Sequence, residues 1–359
     1  MTFLSHSARA LTGGRSLKVL TSLQSKYVRV AVSAGLITFL LARLNLGQTA
    51  RALLEIRWDW LVLALVTFAA SLVLGNVQWM LLLGLQGIRI PFRRALSFYF
   101  VGAFFNNFLP ANIGGDVVRI YDVYKDTAKP DEAIAATVTD RLVGMMTLAV
   151  LAVPAGLYAA VRYRELGLER NFGLASMAIV LAFVAILVLA FLVLFSRRLA
   201  RALRSIIRPF LIRGLHDRVR RIYDSFYTYS RSGRALAKVL AVSLVVQALR
   251  TVVHYQVSMA MGLPIPVIYF FLFVPVIAIF IALPISIGGL GVREGLGIYL
   301  FRKAVPVVTS EQAFTMGLIA YLVGVVVSLA GGVIYLARGL APARTDEPEG
   351  GGAENADSR

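Results

Sequence analysis

The sequence predicts an all-α polytopic membrane protein with about six full spans and two re-entrant helical hairpins arranged as an inverted repeat. Three observations carry that expectation. Hydrophobic residues form 58% of the 359 and the mean hydropathy is +0.75. Several apolar runs approach or exceed the ~20 residues needed to cross about 30 Å of hydrocarbon. And one phrase is written twice: "LPANIGGDVVR" at 109–119 and "LPISIGGLGVR" at 283–293 agree at seven of eleven positions without a gap. A transmembrane β-barrel is excluded because runs such as "FGLASMAIVLAFVAILVLAFLVLF" (172–195) lack a two-residue alternation. With no cysteine and only His6, His216 and His254, neither disulfides nor a histidine-based metal site is expected. No cofactor is expected either.

Full spans are expected at about 27–44, 59–86, 132–160, 172–195, 236–262 and 311–337. The first has an uninterrupted apolar core only from Val30 to Ala42, so a signal peptide competes with it; the long lead and the missing small-x-small cleavage pattern favour a retained span. Between Arg197 and Lys238 twelve Lys/Arg face only Asp217 and Asp224. Positive charge concentrates on the cytoplasmic side, so this basic connection (197–234) is placed inside as an amphipathic surface helix. Residues 1–26, the "RIPFRR" turn at 89–94 and the polar tail 339–359 then fall inside as well, in a bacterial cytoplasmic (inner) membrane. Arg51, Arg57, Arg162, Arg164 and Arg170 fall outside, accompanied by Glu55, Glu165 and Glu169. The tail "TDEPEGGGAENADSR" reads as disordered. The net charge of +18 lies in loops beside apolar spans, which points to anionic lipid rather than nucleic acid.

Two apolar stretches remain. "ALSFYFVGAFFNNFL" (95–109) and "VIYFFLFVPVIAIFIAL" (267–283) each end at proline, then a Gly-Gly pair. Pro110 and Pro284 stop a helix; Gly114, Gly115, Gly288 and Gly289 allow a tight reversal. Each stretch is thus the descending limb of a hairpin, with 117–128 and 292–303 returning. Three full spans separate the hairpins, so they enter from opposite faces, as in transporters whose broken helices meet near the midplane. The free N–H groups after the glycines suit an anion. Asn112 and Ser286 occupy matching tip positions and serve equally as helix caps or as ligand contacts.

Charge inside the membrane costs about 2.5–3.5 kcal/mol on insertion scales, so ionisable residues there are candidate functional groups. Asp140 and Arg141 lie roughly 14 Å into the third full span. Neighbours on a helix point apart, so each needs a partner elsewhere. Asp116, Arg119, Arg293 and Glu294 supply both signs, giving Asp140 with Arg119 or Arg293, and Arg141 with Asp116 or Glu294. On 236–262, Ser243, Gln247, Arg250, His254 and Ser258 recur at helical spacing as one polar face. Gly75, Asn76 and Gln78 are weaker candidates. A static ion-pair network pinning the hairpins competes with an arginine free to bind lipid phosphate.

"FFNNFLPANIGGDVVRIY", "TVTDRLVG" some twenty residues later, and "LPISIGGLGVREG" together resemble the signature segments of the lysylphosphatidylglycerol synthase transmembrane-region family, also called flippase-like. The resemblance covers roughly residues 25–338, making 27–338 a single flippase-like domain. It implies a lipid translocase or a partner of lipid-modifying enzymes. The soluble aminoacyl-transferring domain of the full synthase has no counterpart in this sequence, so translocation is the expectation carried over. An enzyme is disfavoured, because the outside loops offer only Glu55 and Asp59, or Glu165 and Glu169, as candidate catalytic acids. A non-transporting scaffold or regulator of a lipid- or glycan-modifying enzyme is the main alternative. Partners compatible with this reading are membrane lipids with anionic headgroups, a separately encoded lipid-modifying enzyme and a second copy of the chain.

Overall fold

A computed structural model of the chain describes residues 55–108, 114–161, 232–282, 289 and 291–340, with isolated positions between 177 and 229. Eight helices follow in order: α1 (Trp58–Leu85), α2 (Phe92–Phe108), α3 (Gly114–Thr127), α4 (Pro130–Val161), α5 (Gly233–Ala260), α6 (Val267–Ala282), α7 (Val292–Ala304) and α8 (Ser310–Leu340). No strand occurs among the described residues. Four helices, Trp58–Leu85, Pro130–Tyr158, Gly233–Ala260 and Ser310–Arg338, are long and apolar enough to cross a membrane, matching four of the six expected spans. The expected span 27–44, the basic connection apart from a few positions, the tail and most of 172–195 lie outside the described residues.

The remaining helices are short: 17, 14, 16 and 13 residues for α2, α3, α6 and α7. Each falls below the ~20 residues a full crossing requires. They form two antiparallel hairpins. In the first, the Gly115 N–H donates to Asn106 Oδ1 at 2.9 Å, Arg119 packs on Tyr99, and Arg94 bonds Asp126 at 2.6 Å, so residue numbers fall on α2 as they rise on α3. In the second, Gly289 abuts Ile281 while Phe301 meets Phe273 edge to face with ring centroids 5.2 Å apart.

The hairpins open at opposite ends of the bundle. The end where α1 stops carries Arg89, Arg93 and Arg94; here Lys129 Nζ reaches the Gly87 carbonyl (3.3 Å), Tyr229 Oη donates to the Leu82 carbonyl (3.2 Å), and Arg338 of α8 pairs with Asp122 (3.0 Å) and bonds Ser97. This basic end holds the open ends of α2 and α3. At the other end the Arg57 N–H donates to the Ala260 carbonyl (2.8 Å), α5 stops, and α6 begins. Each hairpin anchors its own apolar core. Trp79, Leu82, Phe98, Tyr99 and Val123 pack around the first; Phe270, Phe273, Leu300, Phe301 and Met316 pack around the second. Long α1 and α5 run antiparallel between the two, tied by Gln256 Nε2 donating to Thr67 Oγ1 (3.0 Å).

The repeat's glycines differ in what they do. Gly115 lies against the Gly102 carbonyl, and a Cβ at Gly102 would strike Arg119 Cγ and the Gly115 oxygen. Small residues here let the two limbs touch and leave room for the arginine stem. Gly289 and Gly291 have φ of 75° and 84°, values that L side chains resist. Gly115→Ala therefore forces the limbs apart and should cost about 1–3 kcal/mol by overpacking, read as a lower unfolding midpoint in detergent.

Candidate functional site

Where α1, α3 and α4 converge, the sequence places an ionic cluster deep in the bundle. Asp116, in the first turn of α3, accepts from Arg119 Nη2 at 2.6 Å and from Arg141 Nε at 2.6 Å. Arg119 reaches on to Asp140 Oδ2 at 3.3 Å, and Gln78 Nε2 of α1 donates to Asp140 Oδ1 at 2.8 Å. Arg119 and Asp116 side chains are 6% and 9% exposed, so these charges are desolvated and hold each other. Indole Trp79 and phenol Tyr99 flank the Arg119 guanidinium at 5.0 and 4.8 Å. The two ring centroids lie only 6.2 Å apart, so the rings form an angled wall beside the cation, an attraction that strengthens when water is excluded. Counting residues at 1.5 Å each, Asp140 lies about 15 Å from the start of α4 at the basic end.

A second, smaller cluster sits at the start of α7. Glu294 Oε1 accepts from Arg293 Nε (3.0 Å) and Nη2 (2.7 Å), while its Oε2 accepts from the Gly291 N–H at 2.7 Å. Tyr321 of α8 faces the Arg293 guanidinium at 4.3 Å.

The polar face of α5 runs between them. Ser243 shares a 2.8 Å hydrogen bond with Thr147 of α4. Gln247 is buried and lies against Gly144, where a Cβ would stand 2.9 Å from its amide nitrogen. Arg250 acts electrostatically on Asp140, and Arg293 on His254. Ser258 turns back to the Tyr255 carbonyl and contributes no link. The other four residues form a polar ladder along α5, in which Ser243 and Gln247 pack on α4, Arg250 acts on the first cluster and His254 on the second. An apolar cavity of about 450 Å³ beside Val252, Tyr255, Met259 and Pro264 opens elsewhere on α5 and does not join it.

Of the pairings foreseen, the structure forms Asp140 with Arg119 and Arg141 with Asp116. It does not join Arg293 to Asp140 or Glu294 to Arg141, because Arg293 and Glu294 pair with one another. The principle that helical neighbours point apart fits 140 and 141 but fails at 293 and 294, where the carboxylate folds back to cap the first turn and the arginine bends to meet it. Gly114, Gly115 and Gly289 fall in described residues; Pro110, Asn112, Pro284, Ser286 and Gly288 lie outside them. Sequence reasoning missed Trp79, Tyr99 and Tyr321, whose apolar surroundings give no hint of a cation nearby.

Helices long enough to cross a bilayer, with charged groups buried among them, define an integral helical membrane protein. The chain belongs to the lysylphosphatidylglycerol synthase TM region family, which it matches over residues 27–333. It is 24% identical over 137 residues to a UPF0104 membrane protein of Pyrococcus horikoshii, covering 37% of this chain and 41% of that relative. It is 25% identical over 296 residues to a UPF0104 membrane protein of Methanothermobacter thermautotrophicus, covering 77% and 82%. The chain thus spans less than half the length of the first and most of the second.

Proposed function

We propose that the chain is a lipid translocase that moves a phospholipid or other anionic amphiphile across the cytoplasmic membrane through the polar ladder. The observation that carries this reading is the line of Gln247, Arg250 and His254 between the Arg119 and Arg293 clusters, since an uncharged interface suffices to hold helices together. In this reading the short hairpins are re-entrant and inserted from opposite faces. Spans 27–44 and 172–195 complete six crossings, and both termini are cytoplasmic. The chain itself performs no catalysis and uses no cofactor.

Pairing of Asp116 and Asp140 with arginines favours a second reading, a scaffold whose ion pairs only pin the hairpins. Reconstitution separates the two: a scaffold leaves labelled phospholipid in its original leaflet, whereas a translocase redistributes it.

The topology has its own test, made clean by the absence of cysteine. Val307 is 80% exposed in the α7–α8 turn, opposite the basic end. Val307→Cys should react with an impermeant thiol reagent applied to intact cells, and Ser232→Cys should react only after lysis. The reverse pattern overturns the assignment of the basic end to the cytoplasm.

A further inference from the structure

We infer that Arg250 is the phosphate contact of this pathway and that its ligand is a lipid phosphodiester carrying a single negative charge. The inference rests on the translocase reading for its purpose, but its test measures binding, so the two can fail separately.

In the first cluster Asp116 and Asp140 are matched by Arg119 and Arg141, and in the second Glu294 is matched by Arg293. One guanidinium on the ladder is left over. Arg250 has no carboxylate within ion-pair distance among the described residues, and its Nε is buried without a hydrogen-bond partner. It still lies close enough to Asp140 to act on it electrostatically. Asp140 already accepts from Arg119 and Gln78.

A cation held among apolar helices with an unmet donor is a defect in a resting fold and an asset in a binding site. A phosphodiester monoanion cancels the surplus. A zwitterionic headgroup leaves the surplus in place, and a phosphomonoester dianion replaces it with an excess of opposite sign. Low dielectric makes either mismatch expensive. The guanidinium presents two parallel donors to two phosphate oxygens, geometry that an ammonium does not offer. Arg250 lies about 15 Å from the end of α5, counted at 1.5 Å per residue, a depth that a lipid phosphate reaches only while crossing. Gln247 and His254 stand one turn to either side on the same face, ready to receive the headgroup before and after.

Delipidated full-length protein in neutral detergent tests this by thermal unfolding and by lipid retention in native mass spectrometry. Phosphatidylglycerol should raise the unfolding midpoint of wild type and be retained. Phosphatidylcholine and phosphatidic acid should each bind roughly tenfold more weakly, about 1.4 kcal/mol. In Arg250→Gln the lipid-free midpoint should equal or exceed that of wild type, since a half-buried cation with an unmet donor has gone, and the response to phosphatidylglycerol should vanish. Arg250→Lys keeps the charge and should retain the lipid with affinity between the two. A lower lipid-free midpoint in Arg250→Gln with the phosphatidylglycerol response intact makes Arg250 a structural ion and overturns the inference. Equal binding of phosphatidylcholine or phosphatidic acid overturns the charge class, and an equal midpoint shift from inorganic phosphate alone overturns the lipid source. Phosphatidylglycerol bound through Arg250 without any transport leaves the inference standing and removes the translocase reading.

Discussion

Replacing Asp116 with alanine should destabilise the protein by about 3–5 kcal/mol, the cost of breaking a buried pair from one side. Asp116 receives two arginines at 2.6 Å from two helices, so its loss removes the shorter ion pair of Arg119, leaving it the longer contact with Asp140, and takes this carboxylate from Arg141. Asp140→Ala should cost less, because its contact with Arg119 is 3.3 Å and the uncharged Gln78 amide can turn away. Chemical unfolding in micelles checks the order of the two. A double-mutant cycle adds a sharper demand: Asp116→Ala combined with Arg141→Met should be less damaging than the sum of the single changes, by at least about 1 kcal/mol. Simple additivity would mean that the two side chains do not depend on each other, contrary to the geometry.

The second large effect is on transport. Arg293→Lys preserves charge at the tip of the second hairpin but removes the fork that now grips Glu294 through Nε and Nη2. Lysine retains a single contact with Glu294, and Glu294 keeps its bond to the Gly291 N–H, so the fold should survive. A planar donor pair that exchanges Glu294 for a phosphate is lost. Translocation should therefore slow about tenfold, on the order of 1.4 kcal/mol in the barrier, with the unfolding midpoint nearly unchanged. Equal loss of stability and transport would make the residue structural.

Much of this arrangement was legible in the sequence because membranes restrict the possibilities. Long apolar runs gave four of the observed helices, with boundaries shifted by only a few residues. The Pro and Gly-Gly punctuation marked where α2 and α6 end and α3 and α7 begin. Charges at 116, 119, 140, 141, 293 and 294 stand out because each is costly alone, but the sequence leaves open which arginine and which acid pair between the two hairpins. The α5 ladder was visible as a polar stripe at helical spacing. What sequence could not supply was partner choice at Arg293 and Glu294, since a carboxylate three residues after a glycine with positive φ can cap the helix and keep the arginine for itself. Nor did it reveal the rings over Arg119, because Trp79 and Tyr99 look like any other aromatic residues in apolar runs. The tight contact of Gly102 with Gly115 was hidden for a similar reason: Gly102 belongs to no motif, and only the packing of the limbs gives it a role.

The central claim, that lipid crosses along the polar ladder, is tested most directly in liposomes holding the purified protein and a fluorescent phosphatidylglycerol in both leaflets. Dithionite added outside bleaches only what it can reach. Protein-free vesicles should lose about half the signal, since roughly half the lipid faces outward. Vesicles with wild-type protein should lose nearly all of it as inner lipid arrives at the outer leaflet, and Arg250→Gln at equal density should return the loss toward half. Bleaching that stops at half with wild type for anionic phospholipids, aminoacylated phospholipids and polyprenyl phosphates alike would contradict the account and leave a scaffold in its place.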